Sequence, residues 1–132
     1  MIVVDASVIV EVIIGSAGAG DRLSGERLVA PAIVDGEAGS AVRRQWRHGS
    51  LGDERAGIAI DALSALEIMR FEHRALLPRA WELRHNLTFA DGLYVALAEQ
   101  LGIPLVTLDA RIAAAPHITA DVEVLARTSS WL

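Results

Sequence analysis

Ile2, Val3 and Val4 form an unbroken β-branched run, and Asp5 follows at once. Ile103 to Thr107 has the same character, and Asp109 lies just beyond it. Neither run alternates apolar with polar residues. Each therefore calls for cover on both faces, as in the strands of a parallel sheet. Parallel strands need long crossovers, usually helical, and the intervening segments supply them. Val8, Ile9, Val12 and Ile13 recur at helical spacing behind Asp5. Gly15 to Gly25 reads as a loose connection holding at most a short helical turn. Leu28 and Val29 suit a brief strand. Pro31 is placed to open a helix to about His48. A helix over about 53–65 follows, with Ile58, Ile60, Leu63 and Leu66 as its apolar positions, and then an edge strand over 67–71. Pro78 starts a helix to about Asn86. Thr88 caps another, whose Leu93, Tyr94, Leu97, Ala98 and Leu101 form a stripe ended by Gly102. Asp109 caps a last short helix, and Val122 to Leu125 suits a final strand. Strands alternating with helices predict a three-layer α/β/α sandwich around a mostly parallel sheet. At 132 residues, with no repeat or low-complexity linker, the chain reads as one domain over 1–132.

Composition narrows the chemistry. Cysteine is absent, and all twelve basic residues are arginine. That excludes a disulfide framework, thiolate metal sites, cysteine nucleophiles, a P-loop lysine, a Schiff base and a serine–lysine dyad. Four scattered histidines give no metal-binding pair. The apolar start is broken by Asp5 and Glu11, well short of the ~20 residues that span a bilayer, and it lacks secretory features. A soluble cytoplasmic protein is expected. Carboxylate chemistry remains.

Function in an open parallel sheet gathers at the carboxyl ends of the strands, near the point where strand order reverses. Asp5 and Asp109 fall at such ends. Glu37 and Asp91 lie on helices able to lean over the same edge. At about 100° per residue, Glu37 falls roughly 60° from the centre of its helix's apolar arc, while Asp35 lies about 100° away on the other side. Asp91 sits one turn before Tyr94. Four carboxylates converging without lysine call for a hard divalent cation, and magnesium or manganese with oxygen ligands suits phosphodiester hydrolysis. Each also has a structural reading. Asp5 and Asp109 are placed as helix caps, Asp91 as the acidic half of a capping box with Thr88, and Glu37 as a partner for Arg44.

These residues bring a family into view. The stretches Met1-Ile-Val-Val-Asp5-Ala-Ser7, Ala30-Pro31 leading to Glu37, Leu87-Thr-Phe-Ala-Asp91-Gly-Leu-Tyr94-Val-Ala-Leu-Ala98 and Leu105-Val-Thr-Leu-Asp109-Ala-Arg111 resemble those of PIN-domain ribonucleases. Within these, the likeness is to the VapC-type toxins of toxin–antitoxin pairs, and it covers nearly the whole chain. The resemblance implies a five-stranded sandwich and a magnesium-binding acidic quartet of Asp5, Glu37, Asp91 and Asp109. Asp5 and Asp91 would be the most direct ligands. Ser7 and Thr107 would hold waters or orient carboxylates. It further implies an endoribonuclease, an antitoxin partner and a homodimer, with a heterotetramer or larger assembly with the antitoxin. The chain departs from the pattern at Gly39-Ser40, where relatives carry bulkier residues. Gly39 is expected to loosen the helix bearing Glu37.

RNA also needs cations beside such a site. Arg44 and Arg47 share the Glu37 side of their helix, Arg43 points away, and Arg111 follows Asp109. Arg74, Arg79 and Arg84 are expected to pair with Glu72 and Glu82. Trp46 and Trp81 occupy apolar helix positions and are expected in the core, and Trp131 in a core or interface. The net charge of −5 argues against a protein that coats nucleic acid, yet the quartet accounts for four of those five units. A receiver-like domain is excluded by the missing lysine, and an aspartyl-nucleophile phosphatase by Ser7 where a second aspartate is needed. The competing reading is a degenerate PIN domain that only binds RNA or a protein.

Overall fold

All three residues of β1 (Ile2–Val4) are buried, as a doubly covered strand requires. The computed structural model describes residues 1–15 and 17–126. After β1 come α1 (Ala6–Ile14), α2 (Ala17–Leu23), β2 (Leu28–Pro31), α3 (Val34–Arg47), α4 (Asp53–Ala65) and β3 (Ile68–Phe71). A 3-10 turn over Arg74–Leu76 leads into α5 (Leu77–Glu82), α6 (Phe89–Leu101), β4 (Leu105–Thr107), α7 (Ala110–Ala114) and β5 (Val122–Val124).

The strands form one sheet in the order β3-β2-β1-β4-β5, and every pairing is parallel. The chain thus walks outward from β1 to β2 and β3, then crosses back beyond β1 to β4 and β5. Right-handed crossovers place the helices of the two walks on opposite faces. Accordingly α1, α3 and α4 pack on one another, while α5 packs on α6 and α6 lies against β1 and β2. The expected three-layer sandwich is present, with a wholly parallel sheet. Its order reverses between β1 and β4, where Val3 pairs with Leu105 and Val4 with Val106. Asp5 and the residues after Thr107 emerge side by side at that point.

Several local expectations needed correction. Pro31 ends β2 rather than opening a helix. It pairs with Phe71, and the Ala32 N–H still donates to the Phe71 carbonyl at 2.8 Å, so the chain stays extended and α3 begins at Val34. The segment after Gly15 holds a seven-residue helix, longer than the short helical turn expected there. The Pro78 helix stops at Glu82 and the chain turns at Leu83, whose carbonyl accepts from Asn86 and Leu87. In α4 the buried positions are Ala59 and Leu63; Ile58 and Ile60 are exposed, because this helix meets its neighbours through a small residue. Trp46 and Trp81 are also exposed. The Trp46 indole donates to Asp53 at 2.6 Å, and Trp81 lies under the Arg84 guanidinium, 4.4 Å from its ring centre. Arg84 thus stacks rather than pairing with an acid. Arg79 pairs with Glu82 and more closely with Glu99, and Arg74 reaches Glu72 only at 3.9 Å. Gly39 does not interrupt α3, which is continuous over fourteen residues. Trp131 lies outside the described residues. No helix among them is long and apolar enough to cross a membrane.

Candidate active site

Asp5 is 6% exposed and sits between the ends of β1 and β4. Its Oδ1 accepts from the Ser7 hydroxyl at 2.5 Å and from the Val8 N–H at 3.3 Å, which caps α1. Its Oδ2 accepts from the Thr107 hydroxyl at 2.5 Å. Three of about four lone-pair positions on the carboxylate are thereby used, and its orientation is fixed from two strands at once. Ser7 Oγ in turn accepts from the Leu108 N–H, and Thr107 Oγ1 from the Asp109 N–H. The two hydroxyls therefore tie the ends of β1 and β4 together. Burial pushes the Asp5 carboxyl above the usual range, only partly offset by the Ser7, Thr107 and Val8 bonds, with nearby Asp91 raising it further.

Asp91 stands in the first turn of α6. Its N–H donates to Thr88 Oγ1 at 3.1 Å, one half of the capping arrangement, so capping and site roles coexist in one turn. Burial raises its carboxyl too. The Thr88 bond works against that, Asp109 raises it, and Arg111 lowers it. Asp109 caps α7 through the Arg111 N–H, and the Arg111 guanidinium grips both its oxygens at 3.0 and 2.8 Å. That grip holds the Asp109 carboxyl below its ordinary value.

Glu37 is held by a partner 57 residues away. The Tyr94 hydroxyl donates to Glu37 Oε1 at 2.6 Å, so Tyr94, not Arg44, is its partner. Tyr94 is 1% exposed, and burial together with the Glu37 bond drives its phenol far above the ordinary value. The same turn of α3 is pinned twice more. The Ile33 N–H donates to His73 Nε2 at 3.1 Å, and Arg70 forks onto Asp35 at 2.9–3.1 Å. Asp35 therefore faces the β3 side and Glu37 the site side, as the angular count requires.

These elements enclose one open cavity of about 610 Å³, lined among others by Asp5, Ser7, Glu37, Arg44, Asp91 and Asp109. Thr107 acts from behind Asp5. Arg47 does not line the cavity, and Arg111 reaches it through Asp109. Among the described residues, no three acidic or histidine side chains stand together as a ready-made metal cage. The carboxylates are instead tethered separately around the end of the cavity nearest β1 and β4, where the available donors are oxygens. That donor set fits magnesium, which binds through one or two carboxylates and keeps several waters.

A PIN domain family model matches residues 2–118 of this chain. The chain belongs to the PIN-domain family, in its VapC-type branch. It is similar to Ribonuclease VapC1 of Mycobacterium tuberculosis, 40% identical over 93% of this chain and 96% of that one. Ribonuclease VapC12 of the same organism is 37% identical over 96% and 100%. Two solved structures share the fold. VapC20 of M. tuberculosis, a toxin that cleaves the sarcin–ricin loop, superposes with a TM-score of 0.66 at 23% identity, covering 92% of this chain and 99% of that one. VapBC2 of Rickettsia felis, solved on a DNA fragment from its promoter, gives 0.68 at 17% identity, covering 94% and 98%.

In this PIN domain the sequence pattern picked out four of the five acids that line the cavity, Glu11 being the fifth, but not the groups that aim them. Tyr94 reads as one more apolar position in the α6 stripe, although its place three residues after Asp91 puts it on the same helix face. His73 and Arg70 carry no pattern that links them to α3. Gln45 and His48 also line the cavity; their i+8 and i+11 spacing from Glu37 is the signal that they share its face.

Proposed function

We propose that the chain is a magnesium-dependent endoribonuclease toxin restrained by a cognate antitoxin. The observation that carries this reading is the convergence of Asp5, Glu37, Asp91 and Asp109 on one cavity at the β1/β4 reversal point. Two of its acids, Asp5 and Asp91, are raised by burial, and a bound cation would offset that desolvation. Asp5 and Asp91 would hold the ion directly, with Glu37 and Asp109 completing the site through its waters; manganese would substitute. A bound divalent ion lowers the pKa of a coordinated water and steadies charge building on a phosphate. The chain does the rest. Ser7 and Thr107 fix the Asp5 carboxylate, Tyr94 fixes Glu37, Arg111 offers donors to the phosphate backbone, and Arg44 faces the RNA strand from α3. Arg47, farther along the same helix, extends that cationic side. The ribonuclease names of the relatives and the antitoxin-bearing complex among the structural neighbours support the toxin assignment.

The antitoxin would act by charge. An arginine from its arm pairing with Asp5, Asp91 or Asp109 would displace the ion, with toxin dimers assembling into a heterotetramer or larger complex.

The test is cleavage of structured RNA by protein purified free of antitoxin. Magnesium-dependent cutting that is lost with EDTA and in Asp5→Asn supports the enzyme. Cutting without a divalent ion, or full activity in both Asp5→Asn and Asp91→Asn, refutes it. RNA binding with no cleavage under any divalent ion would instead support the non-catalytic module.

A further inference from the structure

The cavity is several times larger than the metal chemistry requires. A six-coordinate magnesium with its oxygen shell occupies roughly 180 Å³, taking ~30 Å³ per oxygen site. About two-thirds of the 610 Å³ is left over. This remainder extends along α3 beyond Glu37, away from Asp5, Asp91 and Asp109. Ala41, Arg44, Gln45 and His48 follow Glu37 on one helical face, and Ser50 lies just past the helix end. At 1.5 Å per residue, Arg44 to His48 stand roughly 10–16 Å along the axis from Glu37. The turn after α3 brings Ser50 in, since the Ser50 and Leu51 N–H groups both donate to the Gln45 carbonyl. Val10 of α1 gives this half an apolar side.

Of the polar groups lining the cavity beyond the quartet, Glu11 is engaged within the fold, but those of α3 are not. Arg22, Arg70 and Arg79 are each engaged by carboxylates, whereas Arg44 has no ion-pair partner among the described residues. Gln45 Oε1 is buried without a hydrogen-bond partner, so turning the amide toward a ligand in the cavity gains a bond rather than losing one. His48 is exposed at the rim and offers a flat ring.

We propose that this half of the cavity is a nucleobase subsite that receives an unpaired purine of the strand being cut, next to the scissile phosphate. Arginine forks match O6 and N7 of guanine, and glutamine amides match N6 and N7 of adenine; a pyrimidine offers neither pair. Unpaired bases are bound by stacking on histidine or arginine planes and by reading their edges, which His48, Arg44 and Gln45 together allow. The inference rests on the ribonuclease reading of the same site, and two arms separate their failures. In the first, single-stranded RNA oligonucleotides that differ only in purine or pyrimidine at the positions flanking one cut are cleaved with magnesium. In the second, the same oligonucleotides bind Asp5→Asn, followed by fluorescence anisotropy. Wild type should prefer a purine at one flanking position by about tenfold or more in kcat/KM. Gln45→Leu and Arg44→Met should each reduce that ratio to below about threefold while manganese binding by calorimetry stays unchanged. If no oligonucleotide is cut, the nuclease reading fails while the binding arm still decides the subsite. A purine ratio near one in both arms, or a ratio that survives both substitutions, overturns the subsite. Loss of binding to an antitoxin arm with no change in base preference also overturns it, since that assigns these residues to a peptide.

Discussion

Tyr94→Phe removes one oxygen atom, which bonds Glu37 and also faces the Ala6 N–H, while the ring stays buried in α6 packing. The lost bond joins a phenol to a carboxylate at 2.6 Å. Hydrogen bonds to charged groups contribute about 1.5–3 kcal/mol. Glu37 is only half-buried and can recover water in the cavity, so the lower end applies, about 1.5 kcal/mol. An unfolding entropy of about 2.1 cal/mol/K per residue gives ~0.28 kcal/mol/K for this chain, and the melting temperature should fall by about 5 °C. The functional effect should be larger in proportion. Gly36 and Gly39 flank Glu37 and weaken its helix locally, so the tyrosine is the contact that fixes the carboxylate itself. Loss of an outer-shell partner typically costs 10–100-fold in metal affinity, and about tenfold weaker manganese binding is expected. Urea unfolding in EDTA and calorimetric titration with manganese read the two effects. In a Glu37→Gln background, Tyr94→Phe should cost less than half as much. Unchanged stability and manganese affinity in Tyr94→Phe, or equal costs in both backgrounds, would refute the claim that Tyr94 positions Glu37.

Three further outcomes follow from the geometry. Asp5 and Asp91 titrate above the usual carboxylate range in the folded chain, chiefly through burial. The folded protein therefore keeps protons that the unfolded chain releases, and these groups lower metal-free stability as pH rises from about 4 through their raised values. Asp5→Asn should lose part of that decline, so its stability advantage in EDTA should grow between pH 4 and 7; an advantage that shrinks would be inconsistent with a desolvated Asp5. A Cβ on Gly92 would meet the Ala80 backbone at 3.2 Å, so Gly92→Ala should wedge α6 from α5 and destabilise by about 1–2 kcal/mol despite its better helix propensity; a higher melting temperature would contradict that close approach. Arg111→Gln should let the Asp109 carboxyl rise toward its ordinary value, which carboxyl-carbon NMR titration reads. The same change should weaken RNA binding and reduce its salt dependence; an unmoved Asp109 titration would show that the grip is not maintained in solution.

The chain order of apolar runs and helical stripes was enough to define the layers, because periodicity reports which face of each element is buried. It also picked out four of the cavity's five acids, since two follow strand ends and two lie at helix margins. Caps were readable for the same local reason: Asp5, Thr88 and Asp109 each bond an N–H two or three residues ahead. What sequence could not supply were contacts spanning the crossovers. Thr107 reaches Asp5 across 102 positions, Tyr94 reaches Glu37 across 57, and His73 reaches Ile33 across 40. Such partners depend on which strands become neighbours: the crossover that returns β4 to β1 brings Thr107 to Asp5, and β2–β3 pairing brings His73 to Ile33. The same pairing drew Pro31 into a strand, and close helix packing through Ala59 left Ile58, Ile60 and Trp46 outside. Sequence alone determined that strand-end and helix-margin acids would be available to one sheet edge. Tertiary structure decided how each is aimed, because aim is set by hydrogen bonds whose two ends belong to different elements.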